Sequence, residues 1–307
     1  MQIGQLGSAV SELSQMLSQA IVVPFRGRKR RTQAPGHLPG HEGPRALGVR
    51  GRGTLLLAAG TLTDEQVVGL IHQVGGRQAS GVVLPVAAYS LLAAGERYRR
   101  PLERYGMDKL ETLPLSTRTQ AEDTQVAGRV ARANLVVLGG GDTGLLLQRL
   151  AGTAAEGAVV SALAGGATVC ALAAAAEAVG AKVLATGQGA DAGAPHLVPG
   201  LNLLPGTVVV AGRRIAGRLA SVFATALTGN VRLLVLDERA TLLVRSGWQA
   251  EVRSGTVLVV AGPSKVGADA PPSLGEVVTR VVPAGWKLDL TSGAVLPPGA
   301  ANPPRRP

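Results

Sequence analysis

Residues Gly166 to Glu177 read GATVCALAAAAE, and the way this stretch folds decides what the rest of the chain must be. Ala167 to Cys170 is a short apolar run, the pattern of a strand buried on both faces. Ala173 to Ala178 is a run of small, helix-compatible residues, so the chain is expected to pass from strand to helix around Leu172. A sharp turn of this kind lifts one side chain above the carboxyl edge of a parallel sheet, a position suited to a nucleophile. Here the tip carries Leu172, Ala173 and Ala174, none of which can attack anything. The architecture of a catalytic site is expected without its chemistry.

Upstream of this turn, Asn134 to Leu138 (NLVVL) reads as a strand that ends in Gly139-Gly140-Gly141-Asp142, and a helix is expected from Thr143 to Leu150. Thr54 to Ala59, Gly81 to Ala88 and Leu110 to Leu115 give three earlier strands. Between them lie helices: one capped by Thr63 and running to about Val74, one over 89–109 carrying Tyr89, Tyr98 and Tyr105, and one from Ala121 to Arg132. Strands and helices alternating at this spacing imply a parallel sheet with right-handed crossovers and helices on both sides.

Downstream, Lys182 to Ala185 is a short strand and Gly187 to Gly193 a glycine-rich loop. Leu201 to Gly206 leads into Val208-Val209-Val210, a helix is expected from Arg213 to Leu227, and Leu233 to Leu236 is a strand ending in Asp237-Glu238. Thr241 to Val244 and Thr256 to Val260 resemble antiparallel edge strands, with Ser254-Gly255 as the turn before the second, and Gly285 to Leu290 is a candidate for one more. The fold class that follows is α/β: a three-layer α/β/α sandwich with a mainly parallel sheet and a few antiparallel carboxyl-terminal strands. It occupies residues 53–290, and the proline-rich stretch 291–307 is expected to be a disordered tail.

The first 52 residues differ in character. Over 1–23, Ile3, Leu6, Val10, Leu13, Leu17 and Ala20 mark a narrow apolar seam on a helix, too short to stand alone in water. That helix must dock on its own domain, on a second copy, or on another surface. The segment 24–52 is a linker. Between Arg26 and Arg52 it holds eight Arg or Lys against one acid, Glu42, and so carries most of the chain's net charge of +11. Its prolines and glycines forbid regular structure. Weak, salt-sensitive contact with polyanions is one reading and a solvated linker the other; after Phe25 no aromatics are interleaved to stack on bases.

With 46% hydrophobic and only 2% aromatic residues, the core is built from Val, Leu and Ala. No run of about 18 apolar residues is present, so no membrane span is expected, and with no basic segment before the first apolar positions a cytoplasmic protein is the default. One cysteine, Cys170, excludes an internal disulfide, and His37, His41, His72 and His196 have no metal-ligand spacing. Neither a metal nor a cofactor is expected. The GGGDTG run lacks the lysine of a phosphate-binding loop and the GxGxxG spacing.

In order, LLLAAG (55–60), VVLPVAA (82–88), GGGDTGLLLQRLAGT (139–153), LLPG (203–206), RRIAGRL (213–219) and LDERAT (236–241) resemble the cyanophycinase-like serine peptidases. That group includes alpha-aspartyl dipeptidase and shares its fold with class I glutamine amidotransferases. The resemblance covers roughly residues 53–262 and places the family's serine elbow on Ala171-Leu172-Ala173-Ala174-Ala175, so that Ala173 stands in the nucleophile's position. Where the family has its general-base histidine, this chain reads Val210-Ala211-Gly212-Arg213, and no histidine follows His196. A glutamine that helps hold substrate is replaced by Thr143. The resemblance thus implies a pseudoenzyme of the family acting by binding or self-assembly, with a homo-oligomer and peptide or polyanion contacts as expected partners.

Other candidates keep two readings each. Cys170, three residues before Ala173, is a rescue nucleophile or, as free cysteines favour, a buried inert thiol. Asp142 caps the helix that follows it or faces the cleft; Asp237 and Glu238 supply a carboxylate to the remnant site or hold backbone. Ser161 is a serine outside the elbow that an active hydrolase could use, and His196 lies in an expected loop, APHLVPG, that would have to fold over the elbow.

Overall fold

The computed structural model describes residues 52–186, 195–212, 231–261 and 278–300. The expected amino-terminal helix (1–23), the linker up to residue 51, the loop at 187–193, the helix at 213–227 and residues 301–307 lie outside the described residues.

The first half alternates as the sequence implied: β1 (Thr54–Ala58), α1 (Asp64–Gln73), β2 (Ser80–Leu84), α2 (Leu91–Arg104), β3 (Lys109–Thr112), α3 (Arg118–Ala121), α4 (Thr124–Ala131), β4 (Leu135–Leu138), α5 (Thr143–Leu150), α6 (Ala154–Gly165), β5 (Thr168–Leu172) and α7 (Ala174–Ala178). Local chemistry sets the boundaries. Thr63 begins α1 with a capping box, its hydroxyl accepting from the Gln66 N–H while the Gln66 side chain accepts from the Thr63 N–H. Helix α6, which the sequence reading did not anticipate, starts on the Thr153 cap and ends at Gly166 in the left-handed region.

β1, β5, β4, β2 and β3 lie side by side in that order, all parallel, with β5 between β1 and β4. Alternate residues of these strands bury opposite ways. Leu56, Val83, Val137, Cys170 and Leu172 pack with Val67, Leu70 and Ile71 of α1 and Leu102 of α2. Leu55, Leu57, Leu84, Val136, Leu138 and Val169 pack with Val126 and Val130 of α4, Leu146 and Leu150 of α5, and Val159 and Leu163 of α6. Helices on both faces make the α/β/α layering, and each fully buried leucine or valine contributes roughly 1.5–3 kcal/mol.

The second half departs from expectation. It consists of β6 (Gly180–Thr186), β7 (Pro195–Pro199), β8 (Leu204–Ala211), β9 (Arg232–Leu236), β10 (Thr241–Arg245), β11 (Gln249–Ser254), β12 (Thr256–Ala261), β13 (Val278–Pro283), β14 (Lys287–Asp289) and β15 (Val295–Leu296). In place of one sheet there are two. β10, β11, β14 and β15 extend the first sheet antiparallel from β1, while a second sheet has the order β13-β12-β9-β8-β6-β7 with β6, β8 and β9 parallel.

β10 and β12 are therefore inner strands and not edges: β10 sits between β1 and β11, and β12 between β9 and β13. Their inner place agrees with the burial of Leu242, Val244, Val257 and Val260, which are inaccessible. Gly255, in the left-handed region, makes the expected turn between β11 and β12. The domain also runs past residue 290, because β15 pairs with β14 through Leu288↔Val295.

Candidate functional site

The turn between β5 and α7 falls on a single residue. Ala173 has φ 50° and ψ −114°, outside the helical and extended regions that flank it, and it carries no side-chain cap. Holding a residue with a Cβ there costs of order 1–3 kcal/mol. The Ala173 N–H donates to the Ala58 carbonyl (2.8 Å), which carries the β1–β5 ladder one step beyond the strand and fixes where the chain turns. Strand and helix are each displaced slightly from expectation, β5 running to Leu172 and α7 starting at Ala174.

The three glycines after β4 form the wall beside this turn. A Cβ on Gly140 would come within 2.9 Å of the Ala173 Cβ and 3.0 Å of the Leu172 carbonyl oxygen. At Gly141 (φ 155°) it would run into the Ala87 carbonyl. The Gly140 N–H donates to the Tyr98 hydroxyl at 2.9 Å. A backbone N–H beside an elbow is the kind of group that stabilises an oxyanion, and here an aromatic hydroxyl from α2 already holds it. The loop after β2 closes the same wall: Arg149 donates to the carbonyls of Val86 and Ala88 (2.9 Å each), and the Asp142 N–H to that of Ala87 (2.8 Å).

Of the two readings of Asp142, the geometry supports the cap. Its Oδ1 accepts from the Leu145 N–H (2.8 Å) and its Oδ2 from the Tyr89 hydroxyl (3.4 Å), with the side chain exposed at the start of α5. Thr143 turns to the interior, its hydroxyl within reach of Glu177 Oε2 (3.2 Å) and the Ala174 carbonyl (3.3 Å). Glu177 is a buried carboxylate whose Oε1 also accepts from the Ala211 N–H (3.2 Å), so it ties α7 to α5 and to the end of β8. The sequence reading missed Glu177, although it is the one charged residue between Gly166 and Ala181. It also missed the role of Tyr98, which no local pattern announces.

The remaining candidates are not brought to the elbow. Cys170 is fully buried inside β5, and desolvation pushes its thiol up to about 12, so no thiolate forms near neutral pH. Ser161 is exposed on α6 and donates to the Gly157 carbonyl one turn back (2.9 Å). His196 stands on strand β7, opposite Ala185, and not in a loop; it is exposed there. Antiparallel pairing with β6, through Leu184↔Leu197 and Val183↔Val198, accounts for the strand. His72 is exposed on α1. Asp237 supports backbone, with Oδ2 accepting from Thr256 N–H (2.7 Å) and Oδ1 from Arg239 N–H (2.8 Å), and the neighbouring Glu238 is exposed. Among the described residues no group of three His, Cys, Asp or Glu could hold a metal ion, and no helix is long and apolar enough to cross a membrane.

Comparison with known proteins bears on this arrangement. The sequence model of peptidase family S51 matches residues 55–245. Over 193 residues the chain is 28% identical to the cyanophycinases of Trichormus variabilis and of a Nostoc species, a match that covers 61% of this chain and 64% of each relative's length. Among solved structures, a peptidase from an acI-B1 actinobacterium superposes with a TM-score of 0.58 at 16% identity, over 79% of this chain and 99% of that one. A candidate peptidase E from Listeria monocytogenes gives 0.50, also at 16% identity, over 66% and 98%. At this identity the structural likeness speaks for the α/β fold alone.

Proposed function

Because the chain belongs to peptidase family S51, we propose that it is a non-hydrolytic member, a pseudoenzyme that keeps the peptidase scaffold and binds a peptide at the carboxyl edge of its parallel strands. The observation that carries this reading is Ala173. It sits at the tip of a strained strand-to-helix turn, φ 50° and ψ −114°, with a methyl group where covalent catalysis needs a hydroxyl or thiol.

Two further features support the same reading. Serine nucleophiles need a base to take their proton, and the described histidines, His72 and His196, are exposed on α1 and β7. The Gly140 N–H is bonded to Tyr98, whereas an oxyanion-stabilising donor has to be free to meet developing charge. The glycine loop and the segment after β2 stand beside Ala173 at the carboxyl ends of the strands, and backbone groups at such an edge can hold an extended peptide without cleaving it.

The test is an incubation of the purified chain, at concentrations comparable to substrate, with cyanophycin and with aspartyl dipeptides. No release of product above the protein-free control is expected, and a fluorophosphonate or iodoacetamide probe should leave the folded protein unlabelled. Hydrolysis that persists across independent preparations, or labelling lost on Cys170→Ala or Ser161→Ala, overturns the proposal. Ala173→Ser alone is expected to remain inactive, since it supplies a hydroxyl without a base.

A further inference from the structure

A partly enclosed cavity of about 60 Å³ lies between α1, α2 and the carboxyl ends of β4 and β5. Protein interiors are close-packed, and this space would hold about two water-sized groups. Its walls are apolar: Leu62, Val67, Leu70, Leu102, Val137 and Leu172 line most of it. Pro101, Cys170, the hydroxyl-bearing Thr61 and Tyr98, and one cation, Arg97, complete the lining.

The arginines of α2 divide sharply in their pairing. Arg99 is bound to Glu96 and Glu103, and Arg100 to Glu96, so the acids of this helix are already engaged. Arg97, exposed on α2, borders the cavity, and among the described residues no carboxylate lies within ion-pair distance of it. An apolar hollow bordered by one exposed arginine that has no carboxylate partner is complementary to a small molecule with an aliphatic body and an anionic end.

We propose that this cavity is a binding site for a short-chain carboxylate, with two or three carbons among the apolar walls and the carboxylate on Arg97. The site is separate from peptide binding at the elbow and does not depend on whether the elbow is catalytic. It does touch the same structure: Leu172 directly precedes Ala173, and the Tyr98 ring that lines the cavity holds the Gly140 N–H through its hydroxyl. A ligand in the cavity would therefore contact two residues that also border the elbow.

Titration of the full-length chain with butyrate, followed by calorimetry at fixed ionic strength, tests the site. Saturable binding with a Kd on the order of 1 mM is expected for a ligand of this size. Neutral butyramide, and butyrate with Arg97→Gln, should each bind at least about tenfold more weakly, while Arg100→Gln leaves the affinity unchanged. The proposal is overturned by any of three results: no saturation at concentrations about tenfold above the expected Kd, equal affinity of butyrate and butyramide, or an Arg97→Gln variant that binds like the parent. A response to chloride equal to that of butyrate would count against it in the same way, as general attraction of anions to a basic chain.

Discussion

The turns that leave β5 and β9 each follow a buried strand, and they are built on opposite terms. After β9 the side chain of Asp237 accepts two backbone N–H groups and its carbonyl accepts a third, from Ala240 at 3.0 Å. No residue from Asp237 to Ala240 has a positive φ. After β5 the backbone is strained at Ala173 and the side chain makes no hydrogen bond. A strand can thus end here with ordinary dihedrals and a polar residue that satisfies the backbone, so strand termination alone does not call for the conformation of Ala173. That conformation does hold side chain 173 against Gly140, at the sheet's carboxyl edge. The comparison teaches that the sharp strand-to-helix turn at Ala173 is carried by the backbone and its glycine wall, and not by any hydrogen bond of the side chain at its tip.

The sharpest way to break the elbow is through that wall. Gly141→Ala would place a methyl on the Ala87 carbonyl in a region of φ that favours glycine, and a loss of about 3 kcal/mol or more is expected. Urea unfolding monitored by circular dichroism reads this directly. The corresponding break after β9 is Asp237→Ala, which leaves the N–H groups of Thr256 and Arg239 without their acceptor and should cost about 2 kcal/mol. If Asp237→Ala were neutral while Asp237 proved necessary for peptide binding, the two turns would have to exchange roles.

This difference between the turns was only half legible in the sequence. The strand-to-helix passage at 166–177 could be read because a both-faces-buried strand and a run of alanines are unlike anything around them, and α1 could be read because Thr63 and Gln66 form a cap within four residues. The second sheet could not. Val208-Val209-Val210 and Leu233 to Leu236 are buried on both faces like strands of a central parallel sheet, and nothing local says that they belong to another one. β11 (QAEVRS) and β13 (VTRVVP) are half polar, and helix α6 (AAEGAVVSALAG) is so uniformly small and apolar that no face stands out. Within the site, Glu177 meets Thr143 across 34 residues and Tyr98 meets Gly140 across 42, distances over which sequence spacing carries no information.

A smaller effect separates the strand from its turn. Cys170 is the only thiol, and in the folded chain burial pushes it up from the ordinary thiol range to about 12. A thiol raised in the folded state contributes its full stability below the unfolded value, because both states then keep the proton. Above it the unfolded chain ionises while the folded chain does not, so stability falls as the pH rises from the ordinary thiol range towards the raised folded value. The unfolding midpoint of the parent should therefore fall more steeply in that window than that of Cys170→Val. Equal slopes would mean that the thiol is accessible, which would revive it as a candidate nucleophile beside the elbow.

The smallest change bears on the comparison most closely. Ala173→Gly removes the Cβ from a conformation that glycine adopts freely, which recovers part of a strain of roughly 1–3 kcal/mol. Glycine also gives the unfolded chain more freedom, which offsets about 0.4–1 kcal/mol. The net expectation is a stabilisation of about 1 kcal/mol, measured as a rise in the urea midpoint at unchanged slope. Arg239→Gly, in the unstrained turn after β9, has no strain to release and should move the midpoint downward. Opposite signs at the two positions would locate the stored strain at the elbow alone, while a loss of stability at both would mean that the methyl of Ala173 contributes packing that outweighs its backbone strain.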